Sequence, residues 1–407
     1  MSADKKVELL APAGNFEKLE IAVHYGADAV YLAGKSFSLR NFSGNFSLAE
    51  MDEAVAFAHK HHTKVYVACN IYPKNQDLKP MQAFLKSLSD IQPDAVIVAD
   101  PAILMAAKKY LPATPIHIST QANTTNYDTV RFWESLGAGR CNVARELSLA
   151  EIRQIGENTD IEVEAFVHGA MCVSYSGRCL LSNFMAGRPS NQGMCCHPCR
   201  FKYAVMEEKR PGEFFPVSED ASGTYIFNSR DLCMIDHIRE MIEAGISSLK
   251  IEGRMKGIHY VGAVVKTYRE AIDAYYENPD AYVADPRWKT ELQHISHRGY
   301  CTGFYFGDPG QEIMNHRAES ENSHTFLAKV LEKTSAPGTL VEARNKFFRG
   351  DTIEVLPRTG PAQMDTIKEI TGPDGERRDF AQPGSHVHIT ITSPLVPNDL
   401  IRKMDER

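Results

Sequence analysis

The run Asp94-Ala95-Val96-Ile97-Val98-Ala99-Asp100-Pro101-Ala102-Ile103-Leu104-Met105-Ala106-Ala107-Lys108-Lys109-Tyr110 carries the pattern that decides the fold. A short apolar stretch, Ala95–Ala99, ends in an acid and is followed by a helical segment over Ala102–Tyr110. Such a stretch suits a strand covered on both faces, the condition of a parallel sheet wrapped by helices. The unit recurs in both directions. Strands are predicted at Val7–Ala11, Ala29–Ala33, Lys64–Cys69, Ala95–Ala99, Ile116–Ser119, Cys141–Ala144, Glu162–Phe166 and Ser248–Ile251. Helices are predicted at Leu48–His61, Pro80–Ser89, Ala102–Tyr110 and Val130–Leu136. Ser47-Leu48-Ala49-Glu50 and Ser148-Leu149-Ala150-Glu151 read as capping boxes, and Gly26, Gly137 and Gly245 stand where helices should stop. Eight βα units point to an α/β fold, a (β/α)8 TIM-like barrel, which typically takes about 250 residues. An open doubly wound sheet is the rival, but Ala11-Pro12-Ala13-Gly14-Asn15 lacks the glycine fingerprint of a dinucleotide turn.

The 407 residues exceed one ordinary domain, and 43% hydrophobic with 24% charged residues excludes wholesale disorder. No apolar run approaches the roughly 18 residues of a membrane span, so no membrane is expected. The opening Met1-Ser2-Ala3-Asp4-Lys5-Lys6 passes straight into a strand with no signal-peptide core. A net charge of −7 argues against a coat of nucleic-acid-binding charge while permitting a local basic patch. Residues 1–278 are assigned to the barrel, with a cysteine-rich insertion at 171–230. Residues 279–320 form a connecting segment, and 321–407 a small all-β C-terminal barrel or sandwich. Its predicted strands are Thr325–Leu331, Leu340–Ala343, Thr352–Leu356, Thr366–Ile370 and His386–Thr392. Within the insertion, Tyr203–Met206 and Thr224–Phe227 resemble a hairpin, and the helix Leu232–Ala244 should follow it.

Five of nine cysteines lie within residues 172–199, spaced Cys172-x6-Cys179-x15-Cys195-Cys196-x2-Cys199. An odd total without a secretion signal favours reduced thiols and a cytoplasmic location. Three readings of the group stay open: an iron–sulfur cluster, a structural zinc ion, or a redox pair at Cys196-His197-Pro198-Cys199. The six-residue gap is wider than zinc pairs usually show, which favours the cluster. The segment is locally basic, with Arg178, Arg188, Arg200 and Lys202 among its cations. Polar residues at the strand ends, including Asn70, Gln121, Arg145, His168, Glu252 and Arg254, would converge on one barrel mouth. A single histidine such as His168 is most often a satisfied core residue, and arginines beside Glu146 and Glu252 are often ordinary ion pairs.

The stretch Glu164-Ala165-Phe166-Val167-His168-Gly169-Ala170-Met171-Cys172-Val173-Ser174-Tyr175-Ser176-Gly177-Arg178-Cys179 resembles the signature of the collagenase-like peptidase family of unknown catalytic type. The similarity extends to Leu10-Ala11-Pro12-Ala13-Gly14, Asn228-Ser229-Arg230-Asp231 and Lys250-Ile251-Glu252-Gly253-Arg254-Met255-Lys256. The resemblance is strongest to a tRNA-hydroxylating branch. It implies formation of 5-hydroxyuridine at the wobble position, with prephenate supplying the hydroxyl and tRNA as partner. It also implies a 4Fe–4S cluster on Cys172, Cys179, Cys195 and Cys199, with Cys196 and Cys233 as possible replacements and zinc as the lesser alternative. On that basis His168, Glu164 and Glu252 are catalytic candidates. Arg40, Gln121, Arg145, Arg254, Arg188 and Arg200 are candidates for substrate binding, and Lys346-Phe347-Phe348-Arg349 for RNA contact. Some members of the family are known as collagenases, so a peptidase is the alternative activity. The chain has neither G-x-S-x-G nor H-E-x-x-H.

Overall fold

The computed structural model describes residues 6–35, 37, 45–172, 174–200, 205–206, 214–215, 219–220, 223–224, 229–309, 313, 322–332 and 338–405. Eight strands build the first wall: β1 Glu8–Pro12, β2 Ala29–Leu32, β3 Lys64–Cys69, β4 Ala95–Val98, β5 Ile116–Ile118, β6 Arg140–Asn142, β7 Glu162–Ala170 and β8 Ser248–Ile251. Each runs parallel to the next, and β8 pairs with both β7 and β1, closing the barrel. The open-sheet rival is thereby excluded. Both capping boxes form, with Ser47 N donating to Glu50 at 2.6 Å and Ser148 N to Glu151 at 2.8 Å.

Alternation along each strand sends one set of side chains to the helices and the other into the barrel. On β1 to β4 the inward set is apolar apart from Glu8, with Leu10, Ala29, Tyr31, Tyr66, Ala68, Ala95 and Ile97 in one cluster. On β5 to β8 it is mostly polar: His117, Arg140, Asn142, Glu164, Ser248 and Lys250 are all buried. Most of them are tied to carboxylates. Arg140 donates to Glu8 at 2.5 Å and Glu162 at 2.6 Å, while Lys250 and Asn142 donate to Glu164 at 2.7 and 2.8 Å. Burial, with the Arg140 charge adding to it, pushes His117 down to about 3, so that ring stays neutral.

Several local expectations change. The third helix covers Asn75–Ile91 with Pro80 inside it, because Asp77 accepts from the backbone N–H of Lys74 at 2.8 Å and starts the helix early. The expected helix Leu232–Ala244 begins instead as a strand, Asp231–Cys233, antiparallel to β7, and turns helical only at Ile238–Glu243. In the insertion Val205–Met206 pairs with Phe214–Phe215, and Glu219–Asp220 with Gly223–Thr224, rather than the first expected segment with the last. Residues 203–204 and 225–227 of that expected hairpin lie outside the described residues.

The C-terminal sheet has eight antiparallel strands, with Leu400–Met404 between Thr352–Leu356 and His324–Glu332. That strand is missing from the sequence reading because Arg402 interrupts its apolar pattern. Arg402 is 1% exposed and is held by Glu291 and Glu354. The predicted strand Thr366–Ile370 divides into Gln363–Thr366 and Glu369–Thr371. The sheet is tied to the barrel by the buried hydroxyl of Tyr25. It donates to the Leu356 carbonyl at 2.7 Å and accepts from Leu400 N at 3.2 Å. Tyr25→Phe leaves both backbone groups without that partner and is expected to cost about 1–3 kcal/mol, read as a lower denaturant midpoint. An unchanged midpoint would show that the junction does not depend on this link. Among the described residues, no helix is long and apolar enough to cross a membrane.

Candidate functional site

The C-terminal ends of the barrel strands surround a pocket lined by Tyr31, Asn70, Gln121, Arg145, Lys250 and Arg254, together with Asn142, Phe166 and Glu252. Three cations and one carboxylate face it, so the pocket suits an anion. Asn70 Oδ1, Asn142 Oδ1 and Arg145 Nε are buried there without a hydrogen-bond partner. Buried polar atoms are normally satisfied, so three around one pocket mark a place that a polar ligand completes. Lys250 is held over the Tyr31 ring, 4.6 Å from its centroid, by its ion pair with Glu164.

Arg145 joins the pocket to the insertion. Its guanidinium lies 4.0 Å over Phe166, donates to the Ala170 carbonyl at 3.0 Å, and stands 3.8 Å from Cys172 Sγ. Glu252 is 4.0 Å away on the pocket side. The start of the insertion is fastened beside it, since the backbone N–H of Ser176 donates to Glu146 at 2.6 Å. Gly177 then passes so close to the β5 loop that a Cβ would sit 2.1 Å from the Gln121 carbonyl, and its φ of +72° also favours glycine. Further along, Tyr72 N donates to Asn191 O at 3.1 Å. The insertion is therefore seated on the barrel mouth at both Gln121 and Tyr72.

Cys172 is exposed, while Cys179, Cys195, Cys196 and Cys199 are half-buried, and none forms a disulfide. Donors approach the first and third: Arg145 at Cys172, and His197 N at Cys195 Sγ, 3.4 Å away. Cys196 is bonded instead to Ser182, its Sγ 3.3 Å from the hydroxyl. Cys233 lies in the barrel wall on the strand against β7, where burial pushes its thiol up to about 12.

The structure separates the other candidates. Gln121, Arg145, Glu252 and Arg254 line the pocket; Glu164 and His168 do not. Glu164 is 1% exposed beneath the lining, where it holds Lys250, so it positions a pocket cation rather than touching a ligand. His168 is two residues beyond the inward-facing Phe166 and should share its face. A register shift between Lys250 and Ile251 of β8 breaks that alternation. His168 consequently packs among Tyr260, Tyr268 and Tyr300, and burial pushes it down to about 3. A buried neutral ring outside the mouth does not suit an acid–base catalyst. Arg188 turns into the insertion and donates to Met194 O at 3.1 Å. Arg40 lies outside the described residues, as does the side chain of Arg200. Lys250 is the functional side chain missed by sequence reasoning. Its signal was its place with Ser248 and Glu252 at every second position of the final barrel strand.

The sequence matches peptidase family U32 over residues 14–315 and the C-terminal domain of that family over residues 322–402. The chain belongs to peptidase family U32. It is 40% identical to tRNA hydroxylation protein P1 of Bacillus subtilis over 402 residues, covering 98% of this chain and 95% of that relative. It is 35% identical to tRNA hydroxylation protein P of Escherichia coli, covering 97% and 95%. A collagenase of Porphyromonas gingivalis is 28% identical and covered, like this chain, to 98%. The match spans both the barrel and the C-terminal sheet, so U32 membership includes both parts. Within the U32 signature, Gly169 takes a φ of +105° where a Cβ would meet the Glu252 carbonyl at 2.5 Å.

Proposed function

We propose that this U32 chain is a tRNA hydroxylase whose pocket and cysteine insertion act as one site. The observation that carries this reading is Arg145, which lines the pocket and places its guanidinium 3.8 Å from Cys172 Sγ. The relatives named for tRNA hydroxylation are matched over nearly their whole length at 35% and 40% identity, against 28% for the collagenase. The pocket chemistry also favours it over peptide cleavage. Two of its lining hydroxyls are spent on backbone carbonyls, Thr120 on Val143 at 3.1 Å and Tyr31 on Ile251 at 2.9 Å, and among the described residues no histidine lines the pocket beside Ser119. The nearby signature histidine is buried and neutral.

The finer reading is formation of 5-hydroxyuridine at the wobble position, with prephenate as donor and a 4Fe–4S cluster on Cys172, Cys179, Cys195 and Cys199. Four thiols on one segment, with an N–H donor at the Sγ of Cys172 and another at that of Cys195, are the donor chemistry such a cluster takes, and donors at its sulfurs tune it. When bound, the cluster supplies electron transfer that side chains lack. Arg145, Lys250 and Arg254 would hold the two carboxylates of the donor, with Glu164 fixing Lys250. The uridine would enter unstacked, as base-modifying enzymes require. On the C-terminal sheet Phe347 is core at 1% exposure, whereas Phe348 and Phe380 are exposed with Lys346 over both rings at 4.9 and 4.6 Å. That surface combines stacking with charge, the grip used on unpaired RNA.

Arg145→Lys retains the charge and loses the planar fork, so the donor KM should rise about 10- to 100-fold. Steady-state hydroxylation over a range of donor concentrations measures it. An unchanged KM would remove Arg145 from the binding site. Replacing both Phe348 and Phe380 by alanine should weaken tRNA affinity by more than tenfold, at about 1–3 kcal/mol per stacked base. Equal affinity at moderate salt would place the RNA elsewhere.

A further inference from the structure

We propose that the junction between the barrel and the C-terminal sheet binds a divalent first-row transition ion of the zinc class through His294, His324 and Glu354. One ligand atom from each residue lies within 4.8 Å of the other two. His294 follows the barrel-side helix Pro286–Gln293, while His324 opens the strand His324–Glu332 and Glu354 sits on Thr352–Leu356. The ligands thus come from both parts of the chain, and an ion among them would clamp the sheet onto the barrel.

Each ligand has an outer partner that leaves one atom for the ion. The Nδ1 of His324 meets Ser323 Oγ at 2.9 Å, while its Nε2 is buried with no hydrogen-bond partner, 3.5 Å from Glu354 Oε1. The other oxygen of Glu354 accepts from Arg402 Nε at 2.7 Å. The Nδ1 of His294 faces Glu291 Oε2 at 3.8 Å and Arg402 Nη2 at 3.1 Å. Metal binding through Nε2 would place the His294 proton on Nδ1, which would then donate to the Glu291 carboxylate instead of accepting from Arg402, whose guanidinium grips that carboxylate at 2.5 and 2.8 Å. A carboxylate behind a ligating imidazole is the usual support of a metal-bound histidine. Two carboxylates, Glu291 and Glu354, here meet the one guanidinium of Arg402, so a divalent ion is favoured by charge. Two imidazoles and one carboxylate match borderline cations such as zinc, with the fourth position open to water. Clefts reach the cluster from either side, one lined by His294 with Trp288 and Gly360, the other by His324 with Lys256 and His259.

The test uses the full chain with its thiols alkylated by iodoacetamide, so that the cysteine insertion cannot bind the probe. Titration with Co2+ should give one equivalent per chain, with d–d absorbance and no thiolate charge-transfer band. Zn2+ should displace it and raise the melting temperature by several degrees, increasingly with free ion. In unalkylated protein dialysed against Zn2+, the pair His294→Asn with His324→Asn should hold one zinc fewer than wild type. Failure of the alkylated chain to bind Co2+ overturns the site. So does equal zinc in wild type and a folded double variant. Neither readout depends on tRNA hydroxylation, so this inference and the proposed activity fail separately.

Discussion

Alanine at any one of Cys172, Cys179, Cys195 or Cys199 is expected to abolish both cluster absorbance and tRNA hydroxylation. Cys69→Ala and Cys141→Ala should leave both largely intact. Those two thiols are buried in the barrel wall, where burial pushes each up to about 12 and keeps it protonated. A protonated thiol is neither a nucleophile nor a metal ligand. Cys233 is also buried, on a strand paired to β7, and its alanine variant is to be measured beside them. Cys196 is bonded to Ser182 and is the first candidate to replace a member of the four. The check is iron and sulfide analysis of anaerobically purified variants beside an activity assay. Full iron in two of the four alanine variants would refute the ligand assignment.

Arg140→Leu is expected to have the largest effect on stability, a loss of roughly 3–5 kcal/mol. Arg140 is 3% exposed and neutralises Glu8, Glu162 and Glu164 inside the barrel. Removing it leaves Glu8 with the half-exposed Lys64 at 3.9 Å, Tyr66 and Ser248, and leaves Glu164 with Lys250 and Asn142. Breaking one partner of a buried pair costs far more than replacing the whole pair by apolar residues, because desolvation of the survivor goes uncompensated. Domains are typically stable by only about 5–15 kcal/mol, so the variant should unfold at much lower denaturant concentration. A midpoint within experimental error of wild type would mean that the barrel core relaxes around the lost charge.

The barrel was legible because its eight strands are apolar runs at βα spacing and its helix entries carry explicit caps at Ser47 and Ser148. Two features that stayed hidden share one physical cause, buried charge. Arg402 concealed the last strand of the C-terminal sheet by occupying an inward position that pattern reading reserves for apolar residues. Lys250 was visible only in its alternation with Ser248 and Glu252, since its partner Glu164 lies on a strand 86 residues away. For His168 the obstacle was geometric. Sequence alternation puts it beside Phe166, but Phe166 and His168 pair with the consecutive Lys250 and Ile251, so an extra residue in its own strand, Val167, turns it outward instead. The cysteine insertion showed the opposite balance. Its cysteines were legible from spacing as a candidate metal or redox group, but its seat on the mouth depends on contacts at Gln121, Tyr72 and Glu146 that no local pattern announces.

The central claim is that this chain adds an oxygen atom to uridine in tRNA. It is tested most directly by nucleoside mass spectrometry of tRNA from a bacterial strain that lacks tRNA-hydroxylating proteins. The strain would express either the wild-type chain or its Cys172→Ala variant. Wild type should produce 5-hydroxyuridine or its further-modified derivatives, and the variant, at equal protein level, should produce none. Unmodified tRNA in the strain with iron-loaded wild-type protein, together with gelatin cleavage by the same protein, would contradict the account and restore a peptidase.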